Sequence, residues 1–163
     1  MTKEKYPGEK QTNQVLAQRG KIISNFAYIE NIMNSFIAAS YFGESETKQL
    51  NLMIEEVFND KFFSFELRKQ VFYKILKNRF RTVYSSFPRA KLERMQEIRN
   101  IIAHGLLTAR SDIKKPAITG ISFKHGGKIH LSSEIIQEYE SLWKSVKLKL
   151  KDLPGITIQQ VFP

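Results

Sequence analysis

From about Gln14 to Phe42, apolar residues recur at spacings of three and four: Val15, Ile22, Phe26, Ile29, Met33 and Phe36, with Ile23 and Ile37 widening the stripe. Such positions share one face of an α-helix, so the stretch predicts a long amphipathic helix that breaks near Gly43. Ser45 is placed to cap a second helix whose inward face is Leu50, Met53, Ile54, Val57 and Phe58. Ser64 is placed to cap a third, with Leu67, Val71, Phe72, Ile75 and Leu76 inward. The stretch SSFP, residues 85–88, interrupts the pattern. Pro88 suits the first turn of a fourth helix that runs to Ala103 or His104 and stops at Gly105.

Beyond Gly105 the period changes. Ile121 and Phe123, then Ile129 and Leu131, alternate around His125, Gly126 and Gly127, which predicts a small β-hairpin within residues 117–131. Ser132 or Ser133 then caps a last helix, with Ile135, Ile136, Tyr139, Leu142, Trp143 and Val146 inward and Lys144, Lys147 and Lys151 outward. Pro154 and Gly155 end it. The pattern contains no repeat, low-complexity stretch or internal linker. The expected fold is all-α: an up-and-down bundle of about five helices with a small β-hairpin inserted before the last helix. Residues 1–163 are read as one domain, with 1–12 a flexible N-terminus and 154–163 an extended tail.

Composition narrows the chemistry. A hydrophobic content of 42% with 12 phenylalanines is enough for a core, and the lack of cysteine removes disulfides, thiolate zinc sites and cysteine nucleophiles. The opening MTKEKYPGEK is hydrophilic and does not read as a signal peptide, and no apolar run approaches the roughly 18 residues of a membrane span. These features predict a soluble, cytoplasmic protein with no membrane partner. His125 lies in a glycine-rich turn and His130 has no suitably spaced carboxylate, so neither is read as a metal ligand with His104; no metal and no cofactor are expected. The net charge of +10 favours a polyanionic partner. Its distribution is uneven: Lys74, Lys77, Arg79, Arg81, Arg89, Lys91, Arg94 and Arg99 cluster, whereas residues 44–66 are mostly acidic. The first seven are the candidate RNA-binding residues.

The stretch EIRNIIAHG, residues 97–105, holds the candidate chemistry. At about 100° per residue, Met95, Ile98, Ile101 and Ile102 lie within one arc that packs inward. Arg99 and His104 fall about 140° apart around the polar side, with Asn100 and Ala103 between them. The pair therefore frames an outward face. Two long polar side chains flanking a small one would admit a second copy of the same helix, which across a two-fold axis would gather two arginines and two histidines in one cleft.

The six residues RNIIAH resemble the signature of the HEPN domains (higher eukaryotes and prokaryotes nucleotide-binding): arginine, a polar residue, three further residues, then histidine. The long first helix with an acidic residue amid apolar ones, the later helix ending in AHG and the helix after it are similar to that family's bundle. The resemblance implies a metal-independent endoribonuclease, active as a homodimer through the Arg99–His104 helix and held in a bacterial toxin or phage-defence role. In that reading His104 acts as general acid or base when a ribose 2′-hydroxyl attacks the adjacent phosphate. Arg99 binds that phosphate and stabilises its transition state, Asn100 orients the site, and Glu30 on the first helix supports Arg99. RNA is the implied substrate and an antitoxin protein the implied further partner. HEPN toxins neutralised by a nucleotidyltransferase antitoxin commonly carry a tyrosine two residues past the histidine; this chain has Leu106, which argues against that form of control.

The chemistry is sound in its own terms. Imidazole is the side chain best matched to proton transfer near neutral pH, and a planar, permanently charged guanidinium suits a phosphate that gains charge. Other readings stand beside it. A HEPN-like module that binds RNA or a nucleotide, or only dimerises, would use the same residues without cutting. A helical DNA-binding regulator would need a helix-turn-helix signature, which the chain does not show. Glu30 reads equally as a surface or structural glutamate, and the lysines at 144, 147 and 151 as a solvated helix face.

Overall fold

The computed structural model describes residues 9–43, 47–58, 60, 63–104, 106–112, 115–125, 128–130 and 133–154. The expectations placed on Ser45, Gly105, Gly126, Gly127, Leu131, Ser132, the first eight residues and the tail from Gly155 lie outside them. The described chain is mostly helical: α1 (Glu9–Phe42), α2 (Thr47–Met53), a single wide π-helical turn (Ile54–Phe58), α3 (Phe65–Arg79), α4 (Arg81–Ser86), α5 (Arg89–His104) and α6 (Ser133–Lys151). No described helix is long and apolar enough to cross a membrane. Between α5 and α6, the backbone pairs as β1 (Leu106–Asp112), β2 (Lys115–His125) and β3 (Lys128–His130), in the order β1-β2-β3. Both pairings are antiparallel, with Leu107 opposite Phe123 and Lys124 opposite Ile129.

The chain divides into two compact units: Met1–Phe26 with Ala90–Lys144, and Ala27–Arg89 with Ser145–Pro163. Among the described residues of the first, the buried positions are Ile22 and Phe26 of α1, Leu92, Met95, Ile98 and Ile102 of α5, and Tyr139 of α6. Their spacings are those of helix faces that remove apolar surface from water. Polar links then fix which side chains meet. The Tyr139 hydroxyl donates to the Ile22 carbonyl at 3.1 Å, Lys21 pairs with Glu140 at 2.7 Å, and Arg94 donates to both oxygens of Glu138 at 2.7 and 3.0 Å.

In the second unit, α1 buries Ile29, Ile32, Met33, Phe36, Ile37 and Ala38. The Phe36 and Phe72 rings meet edge-on at 5.3 Å, and Phe72 meets Phe87 in the same way at 5.3 Å, geometries favoured by the ring quadrupole. Ser64 caps α3, its hydroxyl accepting from the Leu67 amide at 3.3 Å. Gly43 ends α1 with φ +76° and donates to the Ala39 carbonyl at 2.9 Å, an end that a glycine adopts without a Cβ clash.

Three details differ from the sequence pattern. Helix α3 ends at Phe80 (φ −134°, ψ 60°), and a separate short α4 runs into the first two residues of SSFP. Neither glycine nor proline marks that break; leaving the helix sets the Phe80 ring against Phe36 at 5.7 Å. Val57 was expected inside but is 43% exposed, because the wide turn rotates the stripe, while Phe58 is buried. Leu67 is likewise 42% exposed, its expected place taken by Arg68, which is 8% exposed.

Next to Lys69, which is also buried, Arg68 is an enclosed charge. It donates to the Phe58 carbonyl at 2.6 Å, lies 3.5 Å from Glu30 and sits over the Phe63 ring at 5.4 Å. Burial pushes its pKa below the ordinary arginine value, and the Glu30 charge opposes that shift.

Candidate functional site

Helix α5 carries the motif in its last two turns and ends at His104. It forms here because Leu92, Met95, Ile98 and Ile102 give it one continuous buried face. Against the flank of that face stands Arg99, which is half-buried rather than on an open outward surface. Its guanidinium carbon lies over the Phe26 ring at 5.5 Å, a cation–π contact, and its Nη1 donates to Asn100 Oδ1 at 3.1 Å. Its Nε is buried without a hydrogen-bond partner among the described residues. Its charge is also felt at the Tyr139 phenol. Burial pushes the Tyr139 pKa well above the ordinary tyrosine range, and the nearby Arg99 cation works against that rise.

His104 is exposed. The peptide that precedes it is not free. Ala103 is half-buried, and its carbonyl accepts from Arg19 Nη2 at 2.8 Å. The end of a helix leaves carbonyls unpaired and carries the negative pole of the dipole, so a guanidinium there satisfies both.

The other sequence candidates separate into distinct environments. Glu30 lies beside Arg68, in the second unit. Arg94 is committed to carboxylates, Glu97 at 3.0 Å and Glu138 at 2.7 Å, and those hydrogen bonds raise its pKa further above the ordinary arginine value. Arg89 donates to the Tyr84 hydroxyl at 2.7 Å and stacks over that ring at 4.5 Å. Arg79 donates to the Ser40 carbonyl. Lys74, Lys77, Arg81 and Lys91 are exposed, the first three in the second unit and Lys91 in the first. Of the outward lysines on α6, Lys144 and Lys151 are exposed; Lys147 is half-buried, its ammonium 5.7 Å from the Tyr28 ring centre. Among the described residues, no three His, Asp or Glu side chains converge into a metal-binding group.

Arg19 and Phe26 are the residues that sequence reasoning missed here. The signal was present. Arg19, Ile22 and Phe26 stand three and four apart on α1, so an arginine occupies a position of the buried stripe. Phe26 reads as core alone in the sequence, and Arg19 was not singled out.

Compared with known proteins, the chain matches no family model, no curated protein sequence and no solved structure.

Proposed function

We propose that the protein is a metal-independent endoribonuclease of HEPN type, with Arg99, Asn100 and His104 at its site. The observation that supports this most is the state of Arg99. Arg94 is committed to two carboxylates and Arg68 to the Phe58 carbonyl with Glu30 beside it, whereas among the described residues Arg99 is held by an aromatic face and a neutral amide. Its positive charge is positioned without being neutralised, which is what binding a phosphate demands. Asn100 orients it, and exposed His104 closes the same helix.

In this reading an imidazole removes the proton of a ribose 2′-hydroxyl, whose oxygen attacks the adjacent phosphorus. The P–O5′ bond breaks, the departing 5′-oxygen takes a proton, and a 2′,3′-cyclic phosphate and a 5′-hydroxyl remain. One imidazole does not perform both proton transfers at once, so two copies of α5 facing across a two-fold axis supply a base and an acid. Arg99 stabilises the charge that builds on the phosphoryl oxygens. The same reading gives the enzyme a role in growth arrest or phage defence in a bacterium, restrained by a partner protein, with exposed Lys74, Lys77, Arg81 and Lys91 meeting the RNA backbone.

The test is RNA cleavage in EDTA by the wild type, His104→Ala and Arg99→Ala, with end-group analysis and light scattering. The wild type is expected to be a dimer that leaves cyclic-phosphate ends, and His104→Ala to lose about 10²- to 10⁴-fold in rate. A folded wild type that binds RNA but cuts nothing overturns the reading in favour of a binding module, and so does a His104→Ala protein as fast as the wild type.

A further inference from the structure

The structure assigns to Arg19 the role of positioning residue for His104. The Ala103 carbonyl that Arg19 holds at 2.8 Å belongs to the peptide bond that carries His104. The catalytic part of this assignment rests on the nuclease reading above; its structural part does not. His104 is the last residue of α5, and helix ends fray because the last carbonyls have no partner within the helix. An exposed imidazole on a fraying turn samples many positions. A guanidinium fixed to the final peptide removes that freedom.

The support comes from 84 residues away in sequence, so it is tertiary rather than local. Arg19 and Ala103 are both half-buried, and Arg19 is anchored on a helix that buries Ile22 and Phe26 in the next two turns. The same stripe of α1 holds both ends of the motif: Phe26 lies under the Arg99 guanidinium, and Arg19 holds the peptide of His104. α1 therefore fixes the position of each group relative to the other. Such positioning matters because misplacing a catalytic group by about 1 Å costs on the order of 10²-fold in rate.

Lysine at position 19 keeps one donor and the charge but not the planar fork, so it should restore part of what alanine loses. The experiment follows amide hydrogen exchange by NMR in wild type, Arg19→Ala, Arg19→Gln and Arg19→Lys, alongside RNA cleavage by each. Arg19→Ala is expected to speed exchange at Ile102, Ala103 and His104 at least tenfold, leave Met95 and Ile98 protected, and shift the His104 ring resonances. Cleavage should fall about tenfold or more in kcat with little change in KM, and Arg19→Lys should recover part of both effects. If Arg19→Ala unfolds, Arg19→Gln carries the same comparison. Unchanged exchange at the end of α5 overturns the assignment whether or not cleavage falls. Faster exchange with full cleavage overturns its catalytic part. Should the wild type cut no RNA, the nuclease reading fails, and the exchange data alone decide whether Arg19 fixes the end of α5.

Discussion

Replacing Arg68 with alanine is the severest single test of how the second unit is held. Its hydrogen bond to the Phe58 carbonyl is short, at 2.6 Å, and comes from a residue only 8% exposed. A charge-assisted bond of that kind contributes about 1.5–3 kcal/mol, because removing the donor leaves a buried carbonyl unsatisfied. The contact over Phe63 at 5.4 Å adds about 0.5–1 kcal/mol. Glu30 adds little: its oxygen is 3.5 Å away and its side chain keeps a quarter of its surface in water, so about 0–1 kcal/mol is assigned to it. Together these come to about 2–5 kcal/mol, or roughly 4–20 °C in Tm for a chain of this size. Urea and thermal unfolding followed by circular dichroism measure it. Glu30→Gln should cost under about 1 kcal/mol in the same assay. The reasoning is refuted if Arg68→Ala costs less than about 1 kcal/mol, or if Glu30→Gln costs as much as Arg68→Ala.

Two further outcomes concern pH. Burial raises the Tyr139 pKa, so the phenol contributes stability that is fully present below its unfolded value near 10 and is lost as pH rises above it. Tyr139→Phe should flatten the alkaline fall in stability while costing about 0.5–1.5 kcal/mol at pH 7 for the lost bond to Ile22; a pH series of urea melts reads both. The hydrogen bond from Arg94 lowers the Glu138 pKa, so its contribution is present above the ordinary glutamate value near 4.3 and is lost as pH falls below that. Arg94→Ala should reduce the acid dependence, and more so in low salt than at 1 M, since both side chains are partly exposed; equal effects at the two salt concentrations would count against the ion pair.

Much of the helical pattern was legible because its signals are local. The stripe Ile22, Phe26, Ile29, Met33 and Phe36 marks α1, Gly43 ends it, and Ser64 announces α3. What escaped was the use of charged residues inside apolar faces. Arg68 reads as polar in sequence, and the groups that make its burial tolerable, the Phe58 carbonyl and the Phe63 ring, lie ten and five positions earlier in the chain. The break at Phe80 escaped for a similar reason, since its benefit is a ring contact with Phe36, 44 positions earlier. At the candidate site, the helix and its order of residues could be read, as could the exposure of His104. The half-burial of Arg99 could not, because helical geometry places a residue around an axis but does not say what packs against its flank.

The first unit is assembled from two separated stretches of chain, Met1–Phe26 and Ala90–Lys144. That has a consequence for the order of events during synthesis. A ribosome completes Arg19 long before it reaches Ala103, and the 84-residue span between them must close before their hydrogen bond exists. Until then α1 has no α5 to hold. A chain interrupted between the end of α1 and residue 103 carries the helix that holds the Ala103 carbonyl without that carbonyl or His104. Under the nuclease reading proposed above, the transcript is spared until the ribosome has passed residue 104.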